Sequence, residues 1–115
     1  MVAPAQGDVC WAALPDPAGS GPSFRRPVVV VQGDALNRSR IATVVCVPMT
    51  SNLRWADAPG NVLLAAATTG LDRDSVALAS QIVAIDRALL DAKVGSLLDR
   101  HLELVLDGIE VVLGK

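Results

Sequence analysis

Phe24-Arg25-Arg26-Pro27-Val28-Val29-Val30-Val31 is the stretch on which the reading of the chain turns. Two adjacent cations lead into a proline and then an unbroken β-branched run, which is the pattern of a strand entering an interior. Pro27 has no N–H, so it suits the first residue of a strand, where no ladder bond is required. Just upstream, Leu14 to Ser23 holds three prolines, two glycines and two serines, the composition of a loop. The expected picture is a guanidinium pair at the mouth of a rigid strand, beneath a flap spanning 14–25. A guanidinium carries a fixed fork of donors that matches phosphate oxygens. The stretch therefore points to a phosphodiester ligand.

Outward from this strand, composition narrows the options. A chain of 115 residues fits one domain, 1–115, with a modest core. Half the residues are hydrophobic, yet there are one Phe, two Trp and no Tyr, so that core must be aliphatic. No apolar run approaches the roughly 18 residues of a membrane helix, and no charged-then-apolar leader opens the chain. Cys10 and Cys46 sit in apolar surroundings and read as buried free thiols of a cytoplasmic protein. A lone His101 and the lack of a Cys/His cluster argue against a zinc site. No metal and no cofactor is implied.

The net charge of −2 is unevenly spread. Residues 1–55 carry five arginines (Arg25, Arg26, Arg38, Arg40 and Arg54) against three aspartates, while residues 56–115 carry five cations against nine carboxylates. The basic patch lies on an acidic body. Solvated surface explains such a pattern as readily as a ligand does.

Taken in order, Gly7–Leu14 reads as a first strand, Pro27–Gln32 as a second and Ile41–Met49 as a third, with Pro48 fraying or turning its end. Gly33–Arg40 is a polar turn segment. Thr50, Ser51 and Asn52 follow the third strand directly. Asn61–Ala65 forms a fourth strand, Thr68–Asp74 a loop, and Ser75–Ile85 contains a fifth strand. Asp86–Leu90 suits one helical turn, and Ala92–Leu97 fits strand or helix equally. Asp99 is the expected N-cap of a terminal helix whose apolar side is Leu102, Val105, Leu106, Ile109, Val112 and Leu113. Gly108 interrupts that helix at a propensity cost of roughly 1 kcal/mol, and Gly114 ends it. The fold class is mainly β: a small antiparallel barrel or coiled sheet with a C-terminal helix. Its wide aliphatic faces suit a homodimer.

Four segments occur in register: Gly7-Asp8-Val9-x-Trp11, Arg26-Pro27-Val28-Val29-Val30, Val47-Pro48-Met49-Thr50-Ser51, and Asp74-Ser75-Val76-Ala77-Leu78-x-x-Gln81-Ile82-x-x-Ile85-Asp86. Together they resemble the MazF/PemK-like toxins of bacterial toxin–antitoxin systems, from Gly7 through the terminal helix. The resemblance implies an SH3-like barrel of the plasmid-maintenance-toxin type and a homodimer. It also implies a metal-independent, sequence-selective endoribonuclease (an mRNA interferase) that cuts single-stranded RNA, whether mRNA, tRNA or rRNA. A cognate antitoxin with a flexible tail would neutralise it. Position by position, it carries the family's catalytic Arg onto Arg26 and its catalytic Thr onto Thr50. The acidic residue many relatives have after Gly-Ser is absent, since Gly21-Pro22 follows Gly19-Ser20 here.

The chemistry asks for three things: an activated 2′-hydroxyl, a stabilised pentavalent oxyanion, and a proton for the departing 5′-oxygen. Arg26 suits the second task and cannot serve as a base, because guanidinium stays protonated. Thr50 can donate to a phosphate oxygen. Arg25, Ser51, Asn52, Arg54 and Trp55 are the expected RNA-binding residues, with Trp55 beside Arg54 suited to stacking. Trp11 reads as core, Gln81 and Asp74-Ser75 as loop-fixing residues, and His101 as a packed or surface histidine. The general base stays unassigned. Two alternatives use the same barrel: a non-enzymatic toxin that poisons a protein target such as a topoisomerase, and a plain RNA-binding or scaffolding module.

Overall fold

The computed structural model describes residues 3–14 and 24–115, so the expected flap lies almost wholly outside the described residues. Seven strands form one antiparallel sheet: β1 (Asp8–Leu14), β2 (Phe24–Val30), β3 (Thr43–Thr50), β4 (Val62–Leu64), β5 (Ser75–Ala77), β6 (Val83–Asp86) and β7 (Leu90–Ser96). The order is β4-β5-β3-β2-β1-β7, and β6 also pairs with β3. Between them lie two single-turn helices, α1 (Asp34–Asn37) and α2 (Ala66–Thr69), and the chain closes on α3 (Asp99–Leu113). The sheet is a curled half-barrel, and α3 packs against β4 and the turn that follows β5.

The valine run is explained by burial on both sides of the sheet. Val29 and Val31 join Val9, Val47, Met49, Leu64, Ala77 and Val105 in one cluster beneath α3. Val28 and Val30 join Cys10, Ala12, Leu14, Val44, Cys46 and Ile85 on the other face. A strand buried on both faces loses the apolar–polar alternation and reads as a continuous hydrophobic run. The two cysteines are free and buried. Burial pushes the Cys46 thiol up to about 12 and raises that of Cys10 as well, with the Asp8 carboxylate adding to the latter.

Several boundaries differ from the sequence expectations. Pro27 is the fourth residue of β2, not the first. It is tolerated because β2 pairs with β3 only over Val28–Val30, leaving Phe24–Pro27 with β1 as its sole ladder partner. Pro48 does not fray β3. It lies opposite Val28, and its carbonyl accepts the Leu78 N–H at 2.9 Å. Ser75–Ile85 contains two strands, not one, because the 3-10 turn Ala79–Gln81 separates a β5 that pairs with Met49–Thr50 from a β6 that pairs with Thr43–Cys46. Ala92–Leu97 resolves as strand, in β7. Trp11 is only half-buried, and so is not core.

At the C-terminus, Leu98 occupies the N-cap position without a side-chain bond, and Asp99 is the first helical residue. There its charge still complements the helix dipole. Val105 is the helix's buried anchor, with Leu102, Leu106 and Ile109 packed around it. Val112 and Leu113 are exposed instead, at 38% and 60%. Gly108 has a structural reason. A Cβ at 108 would overlap the Gly60 carbonyl, so the helix backbone lies directly on the turn before β4. Among the described residues no helix is long and apolar enough to cross a membrane.

This contact predicts the sign of a substitution. In an open helix, Gly→Ala stabilises by about 1 kcal/mol. Here Gly108→Ala should destabilise by about 2 kcal/mol, because the helix must lift off the turn. Urea unfolding of the two proteins measures the difference, and a gain in stability would contradict the contact.

Candidate active site

The site is built where β2 and β3 part. Their ladder runs Val30↔Cys46, Val29↔Val47, Val28↔Pro48 and then stops. Beyond it β3 continues on β5, with Thr50 opposite Val76. Extending the β2–β3 register by two residues sets Arg26 against Thr50, and one residue further sets Arg25 against Ser51. Side chains alternate between faces, so the two pairs separate. Arg26 and Thr50 point to one side of the sheet, and Arg25 and Ser51 to the other.

Arg26 and Thr50 open onto one cavity of about 300 Å³. Arg26 is half-buried, with its guanidinium 4.9 Å from the Phe24 ring centroid. That contact restrains the fork, and among the described residues no carboxylate pairs with it. Thr50 Oγ1 accepts the Asn52 N–H at 3.2 Å, and among the described residues nothing accepts its hydroxyl hydrogen, which can donate into the cavity. Trp55, 51% exposed, forms another wall from the 3-10 turn Leu53–Asp57. The opposite wall comes from Leu78, Ser80 and Gln81 on the turn between β5 and β6.

Asn61 ties these two walls together. Its Nδ2 donates to the Trp55 carbonyl at 3.0 Å, and its Oδ1 accepts the Ala79 N–H at 3.1 Å. The second wall is bound in turn to β3 through the Leu78 N–H and the Pro48 carbonyl. A chain of hydrogen bonds thus runs from the strand bearing Thr50, round the cavity, to the backbone of Trp55.

The other expected residues are more scattered. Asn52 Oδ1 accepts the Arg54 N–H at 3.3 Å and caps the turn carrying Trp55. Arg54 lies outside the cavity lining, with its guanidinium 5.9 Å from the Trp55 ring centroid. Arg25 is held by Asp91 of β7 at 3.0 Å and lies 4.8 Å from the Trp11 ring centroid, on the far face. An exposed ion pair of this kind adds little stability, but it neutralises the charge of Arg25. Ser51 lines a second cavity with Trp11. His101 is on α3, and its Nδ1 is buried without a partner among the described residues. Asp74 does fix a loop, accepting the Ala66 N–H at 2.8 Å.

Sequence reasoning overlooked Asn61 and Ser80, and assigned Gln81 to loop geometry. A polar residue two positions after a proline in a loop carries no signal of a tertiary clamp. Gln81 did stand within a quoted motif, and its three-residue spacing from buried Leu78 was the available clue.

The antiparallel half-barrel with its C-terminal helix is a compact β-fold class, and solved structures share that fold. MazF of Deinococcus radiodurans superposes with a TM-score of 0.80 over all of both chains at 23% identity. A mycobacterial endoribonuclease solved with its cognate antitoxin gives 0.74, covering 99% of this chain and 96% of that one at 24% identity. Among curated proteins, Endoribonuclease MazF6 of Mycobacterium tuberculosis is 44% identical, covering 89% of this chain and 96% of its own. Endoribonuclease EndoA of Bacillus subtilis is 34% identical, covering 94% and 92%. Residues 5–113 match the PemK-like, MazF-like toxins of type II toxin–antitoxin systems, and the chain belongs to that family.

The Asn61 clamp yields a prediction independent of function. In a Trp11→Phe background Trp55 is the sole indole. Asn61→Ala removes both bonds and should cost about 1–2 kcal/mol. It should also lower the fluorescence anisotropy of Trp55, and an unchanged anisotropy would show that the clamp does not hold that wall.

Proposed function

We propose that this chain is a toxin endoribonuclease that cuts single-stranded RNA without a metal ion, through attack of the substrate's own 2′-oxygen on the adjacent phosphorus. A P–O2′ bond forms and the P–O5′ bond breaks, leaving a 2′,3′-cyclic phosphate and a 5′-hydroxyl. The nucleophile belongs to the substrate, so no metal is needed to generate one. The reading rests on one observation: Arg26 and Thr50 open onto the same cavity. The family membership and the names of the 44% and 34% identical relatives support it.

Arg26 stabilises the pentavalent oxyanion by preorganised charge, which is often the largest catalytic contribution. Thr50 donates its free hydroxyl hydrogen to a phosphate oxygen. Trp55 supplies a stacking face for a base beside the scissile link, and Asn52 keeps that turn in shape. Arg54 adds positive potential at the cavity rim, and on the far face Ser51 serves a neighbouring nucleotide, with Arg25 contributing through its contact with Trp11. The described lining holds no carboxylate or imidazole, so the group that takes the 2′-proton stays unassigned.

The same reading extends to the chain's partners. It acts as one domain, in the cytoplasm, as a homodimer, on mRNA, tRNA or rRNA. An antitoxin with an acidic, initially disordered segment is the electrostatic complement of an arginine-lined groove. The alternative of a poison acting on a protein target has no feature of this cavity to recommend it over phosphodiester cleavage.

The test is cleavage of single-stranded RNA by the purified chain in EDTA, with end-group analysis. Cyclic phosphate and 5′-hydroxyl ends are expected. Arg26→Ala should lower kcat by about 10²–10³ at an unchanged unfolding midpoint, and Thr50→Ala by a smaller factor. Full activity in Arg26→Ala, or growth arrest with intact RNA, would overturn the proposal.

A further inference from the structure

The parting of β2 and β3 opens a second cavity, on the opposite face from Arg26 and Thr50. It has a volume of about 260 Å³ and begins at Trp11, Pro27 and Ser51. Pro27 follows Arg26 and Ser51 follows Thr50, so the two cavities lie back to back across the ends of the same two strands.

The walls of this second cavity differ from those of the first. Trp11, Pro27 and Leu71 give it a flat, mostly apolar floor. The charges at its rim, Asp72 and Arg73, are adjacent and opposite in sign, so it offers no net charge to a phosphate. Two hydroxyls complete it: exposed Ser51 and Ser75, which is only 3% exposed and donates to the Arg73 carbonyl at 3.3 Å. Arg25 is not part of the lining. It is neutralised by Asp91 and lies against the Trp11 ring, so its effect is to hold the indole in place. An aromatic face with hydroxyl, carboxylate and guanidinium groups around its edge suits a flat, uncharged heterocycle bearing both donors and acceptors. Nucleobases are read in this way in single-stranded RNA, by stacking combined with edge hydrogen bonds.

We infer that the Trp11 cavity is a nucleobase subsite for a nucleotide flanking the scissile link, in which Trp11 stacks the base and Asp72, Arg73 and Ser51 read its edge. The inference rests on the proposed endoribonuclease activity and adds a specificity-determining site to it. Trp11 supplies affinity, and the charged pair at the rim supplies selectivity between bases.

Two measurements test it. In Trp55→Phe protein, Trp11 is the only indole. Its emission should be quenched in a saturable way by a single-stranded RNA methylated at every 2′-oxygen, which binds without being cut. Sequencing of cleavage products should show that Arg73→Ala, on the exposed rim, relaxes the base preference at one position beside the cut. Trp11→Ala should raise KM about 10-fold, in line with the loss of one stacked base, with kcat within about 2-fold. If Trp11→Ala does not fold, Trp11→Leu keeps the apolar volume without the stacking face and should show the same rise in KM. An unquenched Trp11, or an unchanged cleavage pattern in Arg73→Ala, overturns the subsite while leaving Arg26-dependent cleavage intact. Wild-type protein that cuts no RNA overturns the underlying activity instead.

Discussion

The backbone ladder between β2 and β3 ends at Val28 and Pro48, and the site depends on where it ends. Up to that pair the strands are locked by valines buried on both faces. Past it, β3 stays attached to β5 while β2 keeps only β1. The gap that results is lined by whatever the last residues of each strand present. Period-two alternation then decides the chemistry: Arg26 with Thr50 on one face, Arg25 with Ser51 on the other. A slip of one residue in the register would exchange the members of each pair. Two devices hold the register. Fully buried Val28, Val29 and Val30 cannot move to a new position without opening the core, and the Pro48 carbonyl is pinned by the Leu78 N–H.

The remainder of the structure keeps this gap at a fixed width. The turn between β5 and β6 sets one wall by its bond to Pro48, and Asn61 hangs the Trp55 turn from it. The close approach of α3 to Gly60, one residue before Asn61, presses the same segment against the body of the protein. Stability and site geometry are therefore coupled through residues 60–61. The side chains that meet substrate in the proposed reaction project from elements whose backbones are tied down.

Much of this was legible in the sequence. The Val28–Val31 run announced a strand entering the interior, although its start at Phe24, three residues before Pro27, was not announced. Adjacent strand residues point to opposite faces, but which arginine faces which hydroxyl depends on inter-strand register, which one strand's sequence does not carry. The resemblance pointed to Arg26 and Thr50, and the register brings these two to one cavity. Trp11 was misjudged because alternation assigns a residue to a face without saying how far the cover over that face extends, and Trp11 is left half-buried. Ser75–Ile85 concealed two strands because a three-residue turn inside an apolar run leaves no Gly or Pro to mark it. Asn61 was silent for a plainer reason: its bonds are to backbone groups 6 and 18 residues away.

A double-mutant cycle on Arg26→Ala and Thr50→Ala, read as kcat/KM for RNA cleavage, addresses the central claim most directly. Residues that act on one phosphodiester as a unit are non-additive. The double variant should therefore fall little further than Arg26→Ala alone. Additive losses, in which the double variant falls by the product of the two single factors, would mean that the guanidinium and the hydroxyl serve separate sites, and would contradict the account.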